Sequence, residues 1–414
     1  MAERPQATAA QGAILLVTPR WTRDGGIAAH VQASASALAA AGADVHVLVA
    51  EAQDEVPAGV SVRVEPDLLD ASLPPSRRIA GAAALQPFAA IHLHQLDDPA
   101  LVTALREHGP VLVSAHGYTA CTSDVYYFRP GQECSRHHGP GCWPNLLLRG
   151  CAHTLNVARL PSAYARTTRG VEALRRADMA ISYSGAVDRH LANNNIEQRR
   201  VLPLFATLAP APALAPGPGA APGAGAARRV LFAGRVVPAK GLAVLVRAVA
   251  RIDAELVVCG DGWQLGSLRR LARRLGIEER VTLRGWLSAA QLARELEDAA
   301  VVALPSLWPE PFGLVGIEAH LARRPVVASA TGGVGEWLED GVSGLLTPPG
   351  DVRALARALE ELLGDPARCA AMGEAGRHSV LSRFTAEQHV ASALAAYERA
   401  RGLWLASDRG ALAS

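Results

Sequence analysis

The chain has 414 residues, half of them hydrophobic, and a formal net charge of +2. That length exceeds a single compact core and suits two domains of ordinary size. The near-neutral charge gives no case for a dedicated nucleic-acid partner, and none is expected. No apolar run approaches a membrane span, and residues 1–10 lack the charged-then-apolar order of a signal peptide, so the expected location is the cytoplasm.

A continuous apolar run at residues 13–17 predicts a strand buried on both faces. A loop ending in Gly25-Gly26 follows, then a helix over 27–41 closed by Gly42, then a strand at 45–49. This is a βαβ unit with glycines where a backbone must approach a ligand closely, without the Gly-x-Gly-x-x-Gly spacing of dinucleotide folds. A tight turn and nothing more is the competing reading. Strands at 60–64, 90–94 and 111–115 place His92, His94 and His116 near carboxyl ends, where doubly wound sheets line their ligand crevice. For His92 and His94 the alternative is a structural histidine satisfied by a loop carbonyl.

Four of the six cysteines then cluster: Cys121, Cys134, Cys142 and Cys151, interleaved with His137, His138 and His153. A reducing compartment disfavours disulfides and favours a metal or free thiols. The cluster therefore predicts a structural tetrahedral Zn, with His137 or His138 able to replace a thiolate. Unligated cysteines in an ordered loop are the alternative, because the spacings are not those of a Cys-x-x-Cys knuckle. Helical patterns at 146–149 and 163–176 carry Arg on one side; an ordinary packed helix is the preferred reading, with at most peripheral membrane contact. A strand at 179–184 and a helix at 185–194 close the first domain. Residues 206–227 are almost wholly Ala, Pro and Gly and form a linker.

The second domain opens with a strand at 230–234, a loop bearing Arg235 and Lys240, and a helix over 242–251. Among 41 Lys and Arg residues, Lys240 is the only lysine. That isolation points to a need for a compact, mobile ammonium rather than a fork. Arg and Lys at a sheet's carboxyl edge suit phosphate oxygens. A strand at 255–259 ends in Gly260-Asp261-Gly262; a basic helix at 267–276 and a strand at 281–283 lead to Arg284-Gly285-Trp286.

Next, an apolar strand at 300–304 runs into Pro305-Ser306-Leu307-Trp308-Pro309-Glu310-Pro311-Phe312-Gly313 and a helix over 313–323. The free amides and partial positive charge of a helix N-terminus suit a phosphate. Glu310 and Glu318 flank it; carboxylates repel phosphate, so they are suited to neutral hydroxyls on either side of one. Hydroxyls, phosphate, then more hydroxyls describe a nucleotide-sugar. A strand at 326–328, a second glycine-rich turn at 331–336, an edge strand at 344–346 and helices over 352–363, 366–381 and 385–405 complete the chain.

The Glu-x7-Glu spacing, with Phe312-Gly313 after the first Glu, resembles the signature of the retaining family-4 glycosyltransferases, and the Gly-Arg-x4-Lys-Gly pattern at 234–241 is similar to their second signature. The resemblance implies the α/β GT-B fold: two Rossmann-like doubly wound domains facing a cleft, with a C-terminal helix crossing back to the first. The expected divisions are an acceptor domain at 1–205 with a Cys-rich insert at about 117–155, a linker at 206–228, a donor domain at 229–384 and the returning helix at 385–414. By the same resemblance Glu310 holds donor-sugar hydroxyls, Glu318 holds the ribose diol, and Arg235 and Lys240 hold the leaving diphosphate. The amides of Phe312, Gly313 and Leu314 lie near the phosphate, and Gly25-Gly26 face the diphosphate. His116 contacts the donor sugar, though the family's usual His-Asp pair reads His116-Gly117 here. The backbone at Arg284 or Gly285 reads the nucleobase.

The implied activity is transfer of a sugar, with retention, from a nucleoside-diphosphate sugar to a hydroxyl of an unidentified small-molecule, glycan or lipid-linked acceptor. UDP is the preferred base, and no catalytic metal is expected because Arg235 and Lys240 supply the charge. A non-catalytic nucleotide-sugar binder and an inverting transferase with His116 as general base are the other readings.

Overall fold

The computed structural model describes residues 12–22, 25–84, 87–121, 127–129, 132–148, 151, 158, 160–207 and 228–411. The chain divides into two compact units, one of residues 1–124, 135–204 and 386–414, the other of residues 125–134 and 205–385. Most of the linker expected at 206–228, and His153 of the Cys-rich segment, lie outside the described residues.

In the first unit, β1 (Ala13–Trp21), β2 (Val45–Ala52), β3 (Val60–Val64), β4 (Phe88–His94) and β5 (Val111–Ala115) form one sheet with two later strands. Within the Cys-rich segment, residues 125–134 belong to the second unit and carry a short antiparallel pair, β6 (Tyr127–Arg129) with β7 (Gln132–Glu133), that composition did not announce. β8 (Met179–Ser182) and β9 (Arg199–Val201) complete the seven-stranded order β3-β2-β1-β4-β5-β8-β9, parallel throughout. β9 escapes sequence inspection because it is short and half-exposed, with no apolar run. The order reverses direction between β1 and β4, the point at which a doubly wound sheet opens a crevice.

The 26-residue helix Ala386–Ala411 belongs to this first unit and packs against β4, β5 and the Gly26–Ala40 helix. Its anchoring is polar as well as apolar. Tyr397 Oη pairs with His92 Nδ1 at 3.1 Å, and Trp404 Nε1 donates to the Arg106 carbonyl at 2.9 Å. Around that contact the unit buries a set of histidines from three layers. His92 Nε2 meets Ser114 Oγ at 2.7 Å, and Ser114 meets Tyr183 Oη at 2.7 Å. His94 Nδ1 pairs with His116 Nε2 at 3.1 Å, and His116 stacks on Tyr183 with ring centroids 4.8 Å apart. His389 bridges Ser34 and the Pro203 carbonyl, and meets His30 edge-on.

The second unit is a six-stranded parallel sheet of β10 (Arg229–Ala233), β11 (Glu255–Cys259), β12 (Val281–Gly285), β13 (Val301–Leu304), β14 (Val326–Ser329) and β15 (Gly344–Thr347). Its order, β12-β11-β10-β13-β14-β15, reverses between β10 and β13. Leu245, Val249, Leu359 and Leu362 on the covering helices pack with Val230, Leu256 and Val301 into its core. At the carboxyl edge the loops after β10, β11 and β12 stack backbone on backbone. Gly234 N donates to the Cys259 carbonyl at 2.9 Å, and Gly260 N to the Gly285 carbonyl at 2.7 Å. A Cβ on Gly260, whose φ is +144°, would sit 1.9 Å from the Gly234 oxygen, so only glycine permits this approach.

Burial depresses the buried histidines of the first unit: His92 and His116 to about 3, and His30 and His94 well below their ordinary 6.5. Their protonation is opposed further by one another and by His389, with no carboxylate contributing. The unfolded chain takes up these protons near pH 6.5 while the folded unit refuses them, so stability present above that pH is lost as pH falls toward 3. The expected outcome is a melting temperature of the first unit that declines steadily from pH 6.5 downward, in a curve flattened by His92→Gln. An acid-insensitive melting temperature between pH 6.5 and 4 contradicts this packing.

Candidate functional site

The β10/β13 reversal brings two loops together, residues 234–241 and 305–313, and with them Lys240 and Glu310. Gly241 closes the first loop in the left-handed region, with φ +67°. A Cβ there would lie 1.8 Å from the Pro305 oxygen, so the loops meet main chain to main chain. Leu307 N donates to the Ala239 carbonyl at 2.8 Å and fixes their register. From the other side, Gly333 N donates to the Glu310 carbonyl at 2.7 Å, and Trp337 Nε1 to the Phe312 carbonyl at 2.6 Å. A Cβ on Gly332, φ +59°, would fall 2.1 Å from the same Glu310 oxygen. The glycine-rich turn after β14 therefore shapes the backbone beneath Glu310.

Lys240 Nζ reaches Glu310 Oε1 at 2.8 Å and Oε2 at 2.7 Å. Ser306 Oγ and Trp308 Nε1 also donate to Oε2, at 2.8 and 3.1 Å, and Nζ lies 5.3 Å from the centre of the Trp308 ring. Glu310 is 5% exposed. Burial pushes its carboxyl up, but the Lys240 ammonium, helped by Ser306 and Trp308, more than offsets that and holds it below its ordinary value. It is therefore a carboxylate at neutral pH. Sequence inspection did not single out Ser306 or Trp308; their partnership depends on how the proline-rich loop curls back on itself.

Gly313, φ +91°, precedes the helix Leu314–Leu321, and no side chain caps its first amides. The helix ends two residues earlier than expected, with Arg323 left-handed at φ +58°. Arg235 is exposed on the first loop and makes no ion pair among the described residues. Glu318 is buried on the helix and accepts a hydrogen bond at Oε1 from Thr207 Oγ1 at 2.9 Å. Burial raises its pKa despite the Thr207 bonds. Thr207 is a residue that sequence reasoning missed, since it lies in what composition marks only as linker. Arg284 pairs through its side chain with Glu295 at 2.9 Å, while the Gly285 oxygen is taken by Gly260.

In the first unit, Gly25 has φ +99° and starts the helix after β1, with Gly26 as its first residue. His116 follows β5 and is drawn into the histidine set rather than left as a free base. Cys121, Cys134, Cys142 and Cys151 form no disulfide, and among the described residues no three His, Cys, Asp or Glu side chains converge on a metal position. Cys142 instead directs its thiol toward the His137 carbonyl, and His138 meets Thr168 at 2.9 Å.

The Glu310 carboxylate, the Lys240 ammonium, the exposed Arg235 guanidinium and the uncapped N-terminus of the Leu314–Leu321 helix all lie on loops at the carboxyl edge of the second unit's parallel sheet. Residues 224–379 match the family described as "Glycosyl transferases group 1". The chain is 37% identical over 166 residues to a GDP-mannose-dependent alpha-(1-6)-phosphatidylinositol monomannoside mannosyltransferase of Mycolicibacterium smegmatis, covering 37% of this chain and 44% of that protein. It is 36% identical over 226 residues to a D-inositol 3-phosphate glycosyltransferase of Kineococcus radiotolerans, covering 45% and 52%. The chain thus spans about half the length of these curated relatives. The Anabaena HepE protein in complex with UDP and glucose superposes with a TM-score of 0.65 at 19% identity, over 92% of this chain and 97% of that one. Two parallel-sheet Rossmann-like units therefore make this a GT-B fold. No helix among the described residues is long and apolar enough to cross a membrane.

The raised pKa of Glu318 has a definite sign. Its folded form holds a proton more tightly than the unfolded chain, so its contribution to stability is present at low pH and lost as pH rises through the folded pKa. Glu318→Gln is expected to raise the melting temperature more at pH 8 than at pH 5. Thermal unfolding at the two pH values checks this; an equal shift at both contradicts a strained carboxylate.

Proposed function

We propose that the protein is a glycosyltransferase that moves a sugar from a nucleoside-diphosphate sugar to a hydroxyl acceptor with retention of anomeric configuration. The observation that carries the reading is the Lys240–Glu310 pair at the β10/β13 crevice, beside an uncapped helix N-terminus. The likeness to named glycosyltransferases supports it.

In this reading the sugar–phosphate bond breaks and negative charge grows on the departing diphosphate. Lys240, Arg235 and the amides of Phe312, Gly313 and Leu314 stabilise that charge, which makes a catalytic divalent cation unnecessary. Glu310 accepts hydrogen bonds from the donor-sugar hydroxyls, and Glu318 accepts them from the ribose. The acceptor oxygen attacks from the face the diphosphate leaves, and its proton passes to a departing phosphate oxygen. The backbone around Arg284 and Gly285 is assigned to the nucleobase. Roles for His116, Gly25 and Gly26 rest on the resemblance alone.

The donor base is a UDP or GDP choice: HepE is described with UDP, and one relative is named for GDP-mannose. The inverting alternative requires His116 as base. A ring depressed to about 3, whose Nε2 is engaged with His94, is a poor match to that task at neutral pH. A pure binder, by contrast, has no need of so concentrated a set of positive groups around a leaving group.

Transfer and hydrolysis of UDP- and GDP-sugars by the full chain test the proposal. Lys240→Ala and Glu310→Gln are each expected to lower kcat by about two orders of magnitude or more. Turnover is expected to survive EDTA, and the product is expected to keep the donor's anomeric configuration. Inverted product sinks the retaining assignment; binding without turnover in the wild type favours the non-catalytic reading.

A further inference from the structure

The two oxygens of Glu310 are held unequally. Oε2 accepts three hydrogen bonds, from Lys240 at 2.7 Å, Ser306 at 2.8 Å and Trp308 at 3.1 Å. Oε1 accepts one, from Lys240 at 2.8 Å. The ammonium is the partner both oxygens share, and it is also the mobile one: it sits on a flexible stem, whereas Ser306 is 2% exposed and Trp308 is on the same loop as Glu310. A diphosphate arriving beside Lys240 competes with Glu310 for the ammonium. When the ammonium turns, Oε2 keeps two donors and stays fixed, while Oε1 is left as a free acceptor.

We propose that Trp308 and Ser306 are positioning residues that lock Glu310 through Oε2, so that Oε1 is the oxygen released to the donor sugar once Lys240 engages the diphosphate. This rests on the reading of the site as a donor site. It makes sugar recognition conditional on diphosphate binding, because a free sugar cannot draw Lys240 away from Oε1. The Trp308 ring contributes a second contact: its face lies toward Nζ and keeps the ammonium close to the loop after it leaves Glu310. The indole N–H thus orients the carboxylate while the ring guides the cation.

The test uses the full chain and two variants, Trp308→Phe, which keeps a ring near Lys240 but removes the N–H, and Ser306→Ala. Titration calorimetry measures a nucleoside diphosphate and its sugar separately, alongside kcat against pH. Both variants are expected to lower kcat and weaken the sugar-bearing ligand by about tenfold, the scale of one hydrogen bond to a charged group. Affinity for the sugar-free diphosphate is expected to stay within twofold. The acid limb of the kcat profile is expected to move to higher pH, since a carboxylate with fewer donors binds its proton more readily. Parallel weakening of both ligands, or no change in either, overturns the proposal. If Trp308→Phe does not fold, Ser306→Ala carries the same comparison. A wild-type chain that binds no nucleoside diphosphate overturns the donor-site reading itself, a result distinct from normal binding with unaltered variants.

Discussion

The buried pair between Lys240 and Glu310 is the interaction on which the second unit's site depends. A carboxylate taken this far out of water is costly alone, and removing one partner of such a pair typically costs about 3–5 kcal/mol. A well-packed apolar pair would serve stability as well or better, so the pair is poorly explained by stability. The proposed donor site, which must hold opposite charges ready for a ligand carrying both hydroxyls and phosphate, gives the pair a reason. The surrounding backbone is organised to keep the pair in place. Gly241 lets one loop touch Pro305, Gly332 lets another touch Glu310, and each would be blocked by a single methyl group.

That arrangement explains why the site sits on the sheet's edge rather than in its core. Parallel strands all end on the same side, and the loops that follow β10 and β13 meet there, which places Lys240 and Glu310 at the sheet's carboxyl edge. The helix after Glu310 begins at that edge with its amides uncapped, so fixed dipoles and mobile charge converge on one place. In the first unit the equivalent reversal lies between β1 and β4, but its interior follows a different logic. There, neutral histidines, serine and tyrosines form hydrogen-bonded contacts that tie the C-terminal helix to the sheet.

Much of this was legible in the sequence. Apolar runs of strand length, each followed by glycine or proline and then a helical period, placed the loops of both sheets, brought Lys240 and Glu310 to strand-to-helix junctions and put Glu318 on the helix that follows. The isolation of one lysine among so many arginines pointed to it before any geometry was known. What stayed hidden depends on the third dimension. Ser306 and Trp308 appear as loop filler until the loop turns their donors onto Glu310. Thr207 looks like part of a featureless linker until it meets Glu318. His30 and His389 lie on unrelated helices, far apart in sequence, and only packing makes them neighbours. The cysteines lie close along the chain, and among the described residues no three metal-ligating side chains converge.

Because Lys240 is the chain's only lysine, selective ¹⁵N labelling of lysine gives a single side-chain ammonium signal from the site. The account predicts that this signal shifts on addition of a nucleoside-diphosphate sugar, as Nζ exchanges the Glu310 carboxylate for phosphate oxygens. An ammonium signal that stays put at saturating ligand would contradict it.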